Sequence, residues 1–304
     1  MGDNSTTNGT NRSNSVEGGS EPIDAESLVT YLACPRRYEY EHELGIESDD
    51  SSRDADRAIA RVRRTILRRL ADTSAMKDDG RDDRRRGTRA RRFTDWIQRA
   101  AVQAYFDTYG ERHGQSVLAT DLELAYETES GTIVCPVDAL VEIDGRPVAL
   151  RYRWTLEGVE YSSPSGVVRR HTGGRSHYPR RAGSVLVAGA TIEAIAATGR
   201  YDSNPGFAYV GLTDSVGPGG GDSSGPDGSE PGSLDVNVSV RRLESHYEDE
   251  RNRCRNVLNE LVGMILDRAF DPAENWEAIN NYECDSCPYS VMCADRINQE
   301  VRFR

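Results

Sequence analysis

The sequence predicts an α/β domain with a mixed sheet flanked by helices. Three observations carry this: helix-type apolar spacing in three stretches before residue 110, strand-type patterning between 117 and 154, and a return to helix, strands and a long helix after residue 183. The first helical stretch, 23–44, places Leu28, Tyr31, Leu32 and Tyr38 at helical spacing, with Asp24 as its expected N-cap. The second, 54–71, lines up Ile59, Val62, Ile66, Leu67 and Leu70 on one face. The third, 91–109, does the same with Phe93, Trp96, Ile97, Ala100, Ala104 and Tyr105. Strands are expected over 117–126, 132–143 and 146–154, with Asp144-Gly145 as a hairpin turn between the last two. A small-residue helix (183–197), strands at 206–212 and 234–240, and a helix over 243–270 complete the pattern.

Composition sets the outer bounds. The chain of 304 residues is long enough for one large domain, and no internal repeat is visible. Residues 1–21 have the Gly, Ser, Thr and Asn content of a disordered leader, so the folded domain is expected over 22–304. Polar stretches at about 72–89 and 214–233 read as a solvated loop and a flexible insertion. Acidic residues number 50 against 38 basic, a net charge of −12, and Lys77 is the only lysine. Abundant carboxylates with almost no lysine resemble the composition of a salt-in halophile, and GC-rich coding would favour arginine in the same way. An acidic balance ordinarily argues against nucleic acid. In molar salt counterion release loses its force, so net charge decides little. No run of 18 apolar residues and no signal-type N-terminus appears, so a cytoplasmic protein without membrane contact is expected.

Six cysteines in such a chain favour a metal site over disulfides. Cys284-Asp285-Ser286-Cys287 and Cys293 form C-x2-C-x5-C, three thiols in one short segment, with Cys34 some 250 residues upstream as the candidate fourth. The one-plus-three split is compatible with an iron–sulfur cluster, with zinc, or with unligated thiols; zinc more often uses two close pairs. Cys135 and Cys254, in a strand and a helix, read as core thiols.

Two motifs now resemble a known family. Leu28, Tyr31, Cys34, Pro35, Arg36, Arg37 and Tyr38 match an L-x-x-Y-x-x-C-P-R-R-Y helix, and Cys284, Cys287, Pro288, Tyr289 and Cys293 match C-x2-C-P-Y-x3-C. Together they resemble the iron–sulfur RecB-like nucleases, such as the CRISPR-associated exonucleases and the AddB nuclease domain, across about residues 22–297. The resemblance implies a restriction-endonuclease-like PD-(D/E)XK core. It also implies a [4Fe–4S] cluster on Cys34, Cys284, Cys287 and Cys293 that staples the two chain ends into one lobe.

The same resemblance implies a Mg²⁺ or Mn²⁺ centre built from carboxylates and a lysine. Asp138 stands in the position of the family's first Asp. Thirteen residues on, however, Arg151-Tyr152-Arg153 replaces E-x-K. A guanidinium cannot ligate a cation, and it does not give up its proton to serve as a base. The early-helix histidine is missing from 60–64, and so is the later Gln-x-x-x-Tyr. Glu123 and Glu142 are the remaining acidic candidates, and Glu123 reads equally as a solvent-facing strand residue. Asp138 is therefore expected either to be a vestigial ligand or simply to pair with Arg151 or Arg153, the ion pair being the favoured reading.

The sequence-level expectation is a catalytically degenerate family member acting in DNA repair, recombination or CRISPR adaptation. It would bind single strands or ends through Arg36, Arg37, Tyr38, Arg151 and Arg153. The rivals are an active exonuclease and a subunit that contacts only a helicase-like or integrase-like protein partner. Arg169, Arg170, His171, Arg175, Arg180 and Arg181 form a further basic stretch, expected to be loop-rich.

Overall fold

The computed structural model describes residues 21–46, 50–71, 89–114, 116–156, 159, 166–201, 204–217 and 235–300. The leader (1–20) and most of the two polar stretches (72–88 and 218–234) lie outside the described residues.

A mixed six-stranded sheet forms the centre. β2 (Val117–Glu127), β3 (Thr132–Ile143) and β4 (Arg146–Arg153) make an antiparallel meander. Its tight turn places Asp144 and Gly145 at φ of 55° and 71°, the left-handed conformation for which an Asp-Gly pair is suited. β5 (Gly206–Gly217) runs parallel to β4, and β6 (Asp235–Arg242) closes the edge antiparallel to β5. A two-residue strand, β1 (Ile23–Asp24), pairs parallel with Ile133 and Val134 of β3. β2 already covers one edge of β3, so β1 and β4 share the other, β1 at the start and β4 at the end. Residues 135–138 of β3 fall between them, and this interruption sets the geometry of the Asp138 centre described below.

Both sheet faces are covered, which is why β3, β4 and β5 read as near-continuous apolar runs. On one face α3 (Asp50–Ala71) and α4 (Arg89–Tyr105) pack Val62, Ile66, Leu70, Ala101 and Tyr105 against Val141, Val148, Leu150 and Val210. On the other lies α7 (Pro179–Ala197), buried around nearly its whole circumference. Its small residues let neighbours approach closely. A Cβ on Gly183 would lie 2.9 Å from the Val29 side chain of α1 (Ser27–Ala33), and one on Gly189 would lie 2.5 Å from the Tyr247 ring. Tyr247 belongs to α8 (Glu244–Asp249), and α9 (Arg251–Leu266) follows.

Three expected helices are interrupted. The stretch 23–44 is β1, α1, a four-residue helix α2 (Pro35–Tyr38) and a π-helical turn over Glu39–Glu43. Pro35 forces Cys34 into an extended conformation, φ −162° and ψ 114°, because its ring excludes a helical residue before it. Asp24 still restrains the start of α1: its carboxylate accepts from the Glu26 and Ser27 N–H groups at 2.7 and 3.3 Å, from within a strand rather than from the N-cap position. The stretch 91–109 ends as α4 at Tyr105 and continues as a π turn, Phe106–Gly110, and a short helix α5 (Glu111–Gly114). The expected long C-terminal helix breaks at Glu250, whose carboxylate leaves its own helix to accept the Val168 and Arg169 N–H groups at 3.1 and 3.0 Å. Those residues start α6 (Val167–Thr172), a helix inside a stretch expected to be loop-rich. Among the described residues no helix is long and apolar enough to cross a membrane.

Candidate functional site

The Asp138 centre forms where one edge of β3, the edge opposite β2, lacks a strand partner. β4 pairs with β3 only as far as Leu150, and its last residues, Arg151 to Arg153, pair with β5 alone. The Asp138 side chain reaches across the opening: Oδ2 accepts the Tyr152 N–H at 2.6 Å. Oδ1 meets Arg151 at 3.1 Å and Arg63, from α3, at 2.8 Å. Asp138 is 1% exposed. Burial pushes its carboxyl above the ordinary range, opposed by Arg151, Arg63 and the Tyr152 N–H.

Arg153 is held differently. Its guanidinium is ion-paired with Glu26, lies over the Tyr209 ring 3.8 Å from the centroid, and donates to the Tyr209 hydroxyl at 3.0 Å. Glu26 also sits 3.6 Å from Arg151 and accepts from the Tyr209 hydroxyl at 3.2 Å. Arg63 bridges onward to Asp121 at 2.8 Å. The centre thus sets the carboxylates of Glu26, Asp121 and Asp138 against the guanidiniums of Arg63, Arg151 and Arg153. Opposite charges balance, and both oxygens of the buried carboxylate are already engaged. Glu123 and Glu142 are exposed on β2 and β3, opposite Pro136 and Pro147.

Behind the centre runs a buried polar chain. Tyr152 leaves β4 on the α4 face, and its hydroxyl bonds to that of Tyr105 at 2.8 Å. Tyr105 in turn bonds to His113 Nδ1 at 2.9 Å. Burial holds His113 at a pKa of about 4, so it is neutral at pH 7.

The second region joins the chain ends. Cys34, Cys284, Cys287 and Cys293 line one small cavity together with Arg37, Tyr40 and Tyr289. The extended kink at Cys34 separates α1 from α2 and aims the Arg36 and Arg37 N–H groups at its sulfur; the Tyr289 N–H does the same for Cys287. Burial pushes the Cys34 thiol up to about 11 and also raises Cys284 and Cys287. The Tyr289 hydroxyl donates to the Ile46 carbonyl at 2.8 Å, its ring lies 5.5 Å from that of Tyr40, and Arg36 reaches Asp295 at 2.8 Å. These contacts tie the start of the chain to its end without any metal. Among the described residues no three His, Cys, Asp or Glu side chains converge closely enough to hold a single ion. The donor set nonetheless suits an iron–sulfur cluster: four thiols face one cavity, and backbone N–H groups point at two of the sulfurs. Cys135 and Cys254 are fully buried in the core, away from this cavity.

The basic residues picked out from sequence are mostly engaged. Arg36 pairs with Glu39 and Asp295, and Arg37 with Glu41 at 2.7 Å. Tyr38 is 4% exposed, packed between Tyr31 and Phe270. Sequence reasoning missed Arg63 and Glu26. Arg63 flanks the apolar face of its helix, within the stretch noted for its missing histidine, which was the available signal. A larger cavity of about 730 Å³ lies between α1, α9, the end of α6 at His171 and the following loop with His177; its floor is apolar and its acidic rim, Glu260 and Asp271, is exposed.

Scans against protein-family models and against curated proteins found no match to this chain.

Proposed function

We propose that this chain is an iron–sulfur member of the RecB-like PD-(D/E)XK group that binds DNA without cutting it, its former metal centre closed by arginines. The observation that carries the reading is the state of Asp138. A divalent cation needs open carboxylate oxygens and a surplus of negative charge. Here both oxygens are taken, two guanidiniums stand against them, and the local charges cancel. Activating water would also require a base, and an arginine at position 153 stays protonated.

The mixed sheet, the opening in β3 beside Asp138 and the four cysteines around one cavity all support the family reading. A lone zinc ion would require its four sulfurs about 2.3 Å from one point. An iron–sulfur cluster would hold the same four thiolates around a larger inorganic core, so the content of iron and sulfide against zinc distinguishes the two. When bound, the cluster would cross-link residue 34 to residues 284–293. A DNA-processing protein as partner is a second reading, favoured by one observation: Tyr282, Val291, Met292 and Ile297 of the cysteine lobe are 45–88% exposed.

Anaerobic purification followed by iron, sulfide and zinc analysis, with anisotropy on labelled single-stranded DNA, tests the proposal. Iron and sulfide in equal amount, broad visible absorbance and salt-dependent DNA binding are expected. Zinc alone, or no affinity for any oligonucleotide, would sink it.

A further inference from the structure

Between residues 161 and 192 the chain carries five arginines and no carboxylate, in a protein whose acidic residues outnumber its basic ones by 50 to 38. All five fall within 169–181, at the corner where α6 turns into α7. The corner is closed on itself: the Arg175 N–H donates to the Arg170 carbonyl at 3.0 Å, and the Tyr178 N–H donates to His171 Nδ1 at 3.3 Å. Burial holds His171 at a pKa of about 4, so its imidazole is neutral and able to accept that bond. Arg169, Arg170, Arg175 and Arg180 are exposed, and none of the four forms an ion pair with a described residue. Arg169 folds back over Gly166, and Arg181 lies over the Tyr178 ring, 5.0 Å from its centroid, which leaves Arg170, Arg175 and Arg180 standing clear.

The carboxylates that approach the corner from other elements are already engaged. Glu250 accepts the Val168 and Arg169 N–H groups, Glu283 bonds to His177 at 3.3 Å, and Asp285 pairs with Arg296 at 3.6 Å. Glu193, which ends the carboxylate-free run, is held by Arg251 and Arg255 at 2.8 and 2.6 Å. Glu260 and Asp271 belong to the rim of the neighbouring cavity and form no ion pair with these arginines. An aromatic row adjoins the basic surface. His177 stacks on Tyr282, the last residue of α10 (Trp276–Tyr282), with the rings 5.4 Å apart and 17° from parallel. His171 meets His177 edge-on at 5.7 Å, and Tyr282 ends the row 69% exposed.

From this we infer that the α6–α7 corner, with Tyr282 beside it, binds single-stranded nucleic acid, its arginines holding phosphates and Tyr282 stacking a base. The inference rests on the DNA-binding reading above and names its contact surface. Single strands are bound with little regard to sequence where a basic surface runs beside open aromatic faces. Guanidiniums suit the phosphates, since their fork binds two oxygens at once. Arg175 is two residues from His177, about 7 Å or less along the chain, so the phosphate and base contacts fall on one short stretch of strand. A solvated basic loop would account for the arginines alone, but not for an exposed tyrosine laid flat on an imidazole. A lipid surface fits less well: Val167 and Val168, the large apolar residues of α6, are buried and offer nothing to insert.

The test is fluorescence anisotropy of the full chain with labelled oligothymidylate over a KCl series. For Arg170→Gln/Arg175→Gln, log K against log[KCl] should be shallower than wild type by about 1.4, two single-strand phosphate contacts at roughly 0.7 each. Arg170→Lys/Arg175→Lys should keep the wild-type slope. So should Arg64→Gln/Arg68→Gln, which removes the same charge from exposed positions of α3. Tyr282→Ala should bind about tenfold more weakly at an unchanged slope, and Tyr282→Phe as tightly as wild type, because stacking needs the ring and not the hydroxyl. If Tyr282→Ala does not fold, Tyr282→Leu, which keeps bulk without a ring, should show the same loss. A wild type that binds, with its slope kept by the Arg170/Arg175 Gln variant or its affinity kept by the variant without the ring, overturns the corner and leaves the DNA-binding reading standing. A wild type that binds no oligonucleotide refutes that reading and the corner with it. Capture by phosphatidylserine vesicles without oligonucleotide binding assigns the arginines to a membrane and overturns the inference as well.

Discussion

The cysteine lobe and the Asp138 centre are built from the same kinds of residue, buried acceptors and nearby arginines, with opposite results. In the lobe the arginines are paired with carboxylates, Arg36 with Asp295 and Arg37 with Glu41, and four thiols face a common cavity. At Asp138 the arginines are turned inward and take up the acceptor. One region keeps its donor atoms available to a bound group, and the other spends them on holding the fold together. Under the function proposed above, the contrast would separate a lobe able to hold a structural cofactor from a centre whose carboxylate is closed off by arginines.

Substitution in the lobe should have the largest effect. If a cluster cross-links the chain ends there, Cys287→Ser loses iron and sulfide together. It should lower the thermal midpoint by about 10 °C, corresponding to about 4 kcal/mol for a domain of this size. Retention of both the metal and the midpoint would remove the lobe's half of the contrast.

At Asp138 the effect should be next in size. Removing the carboxylate leaves Arg63 and Arg151 facing each other beside an unsatisfied Tyr152 N–H, a loss of about 3–5 kcal/mol in urea unfolding for Asp138→Ala. Asp138→Ala combined with Arg151→Met should recover part of that loss, since the second change removes the orphaned charge. A near-neutral single variant would mean that the centre is not closed by these pairs.

The smallest effect concerns acid. His113 has a folded pKa of about 4 against 6.5 when exposed. The unfolded chain therefore binds the extra proton first, so stability is full above about pH 6.5 and falls as pH drops towards 4. His113→Gln should flatten that part of the stability profile. The lobe has no part in it, so any loss of iron in acid, which follows protonation of the cluster's own ligands, should be the same in both proteins.

These features were unequally legible in the sequence. The β2–β3–β4 meander was readable because an Asp-Gly turn and two long apolar runs fix the register of Asp138 relative to Arg151 within twenty residues. The four cysteines were readable for a chemical reason, since thiols at that spacing have few other uses. The break at Cys34 was signalled by Pro35 but was outweighed by the apolar periodicity on either side. β1 is two residues long and exists only because Ile133 and Val134 of β3 offer it an unpaired edge, which no local pattern records. Arg63 and Glu26 reach the centre from elements 75 and 112 residues away from Asp138 in sequence, and only the packing of α3 and the position of β1 bring them there.

The most direct test of the central claim is cleavage. The anaerobically purified protein is incubated with labelled single-stranded DNA and Mn²⁺ at high KCl, beside Asp138→Asn. The account predicts intact DNA with both proteins and retained binding by the wild type. Degradation by the wild type that Asp138→Asn abolishes would contradict it, showing that Asp138 can shed its arginines and hold a metal.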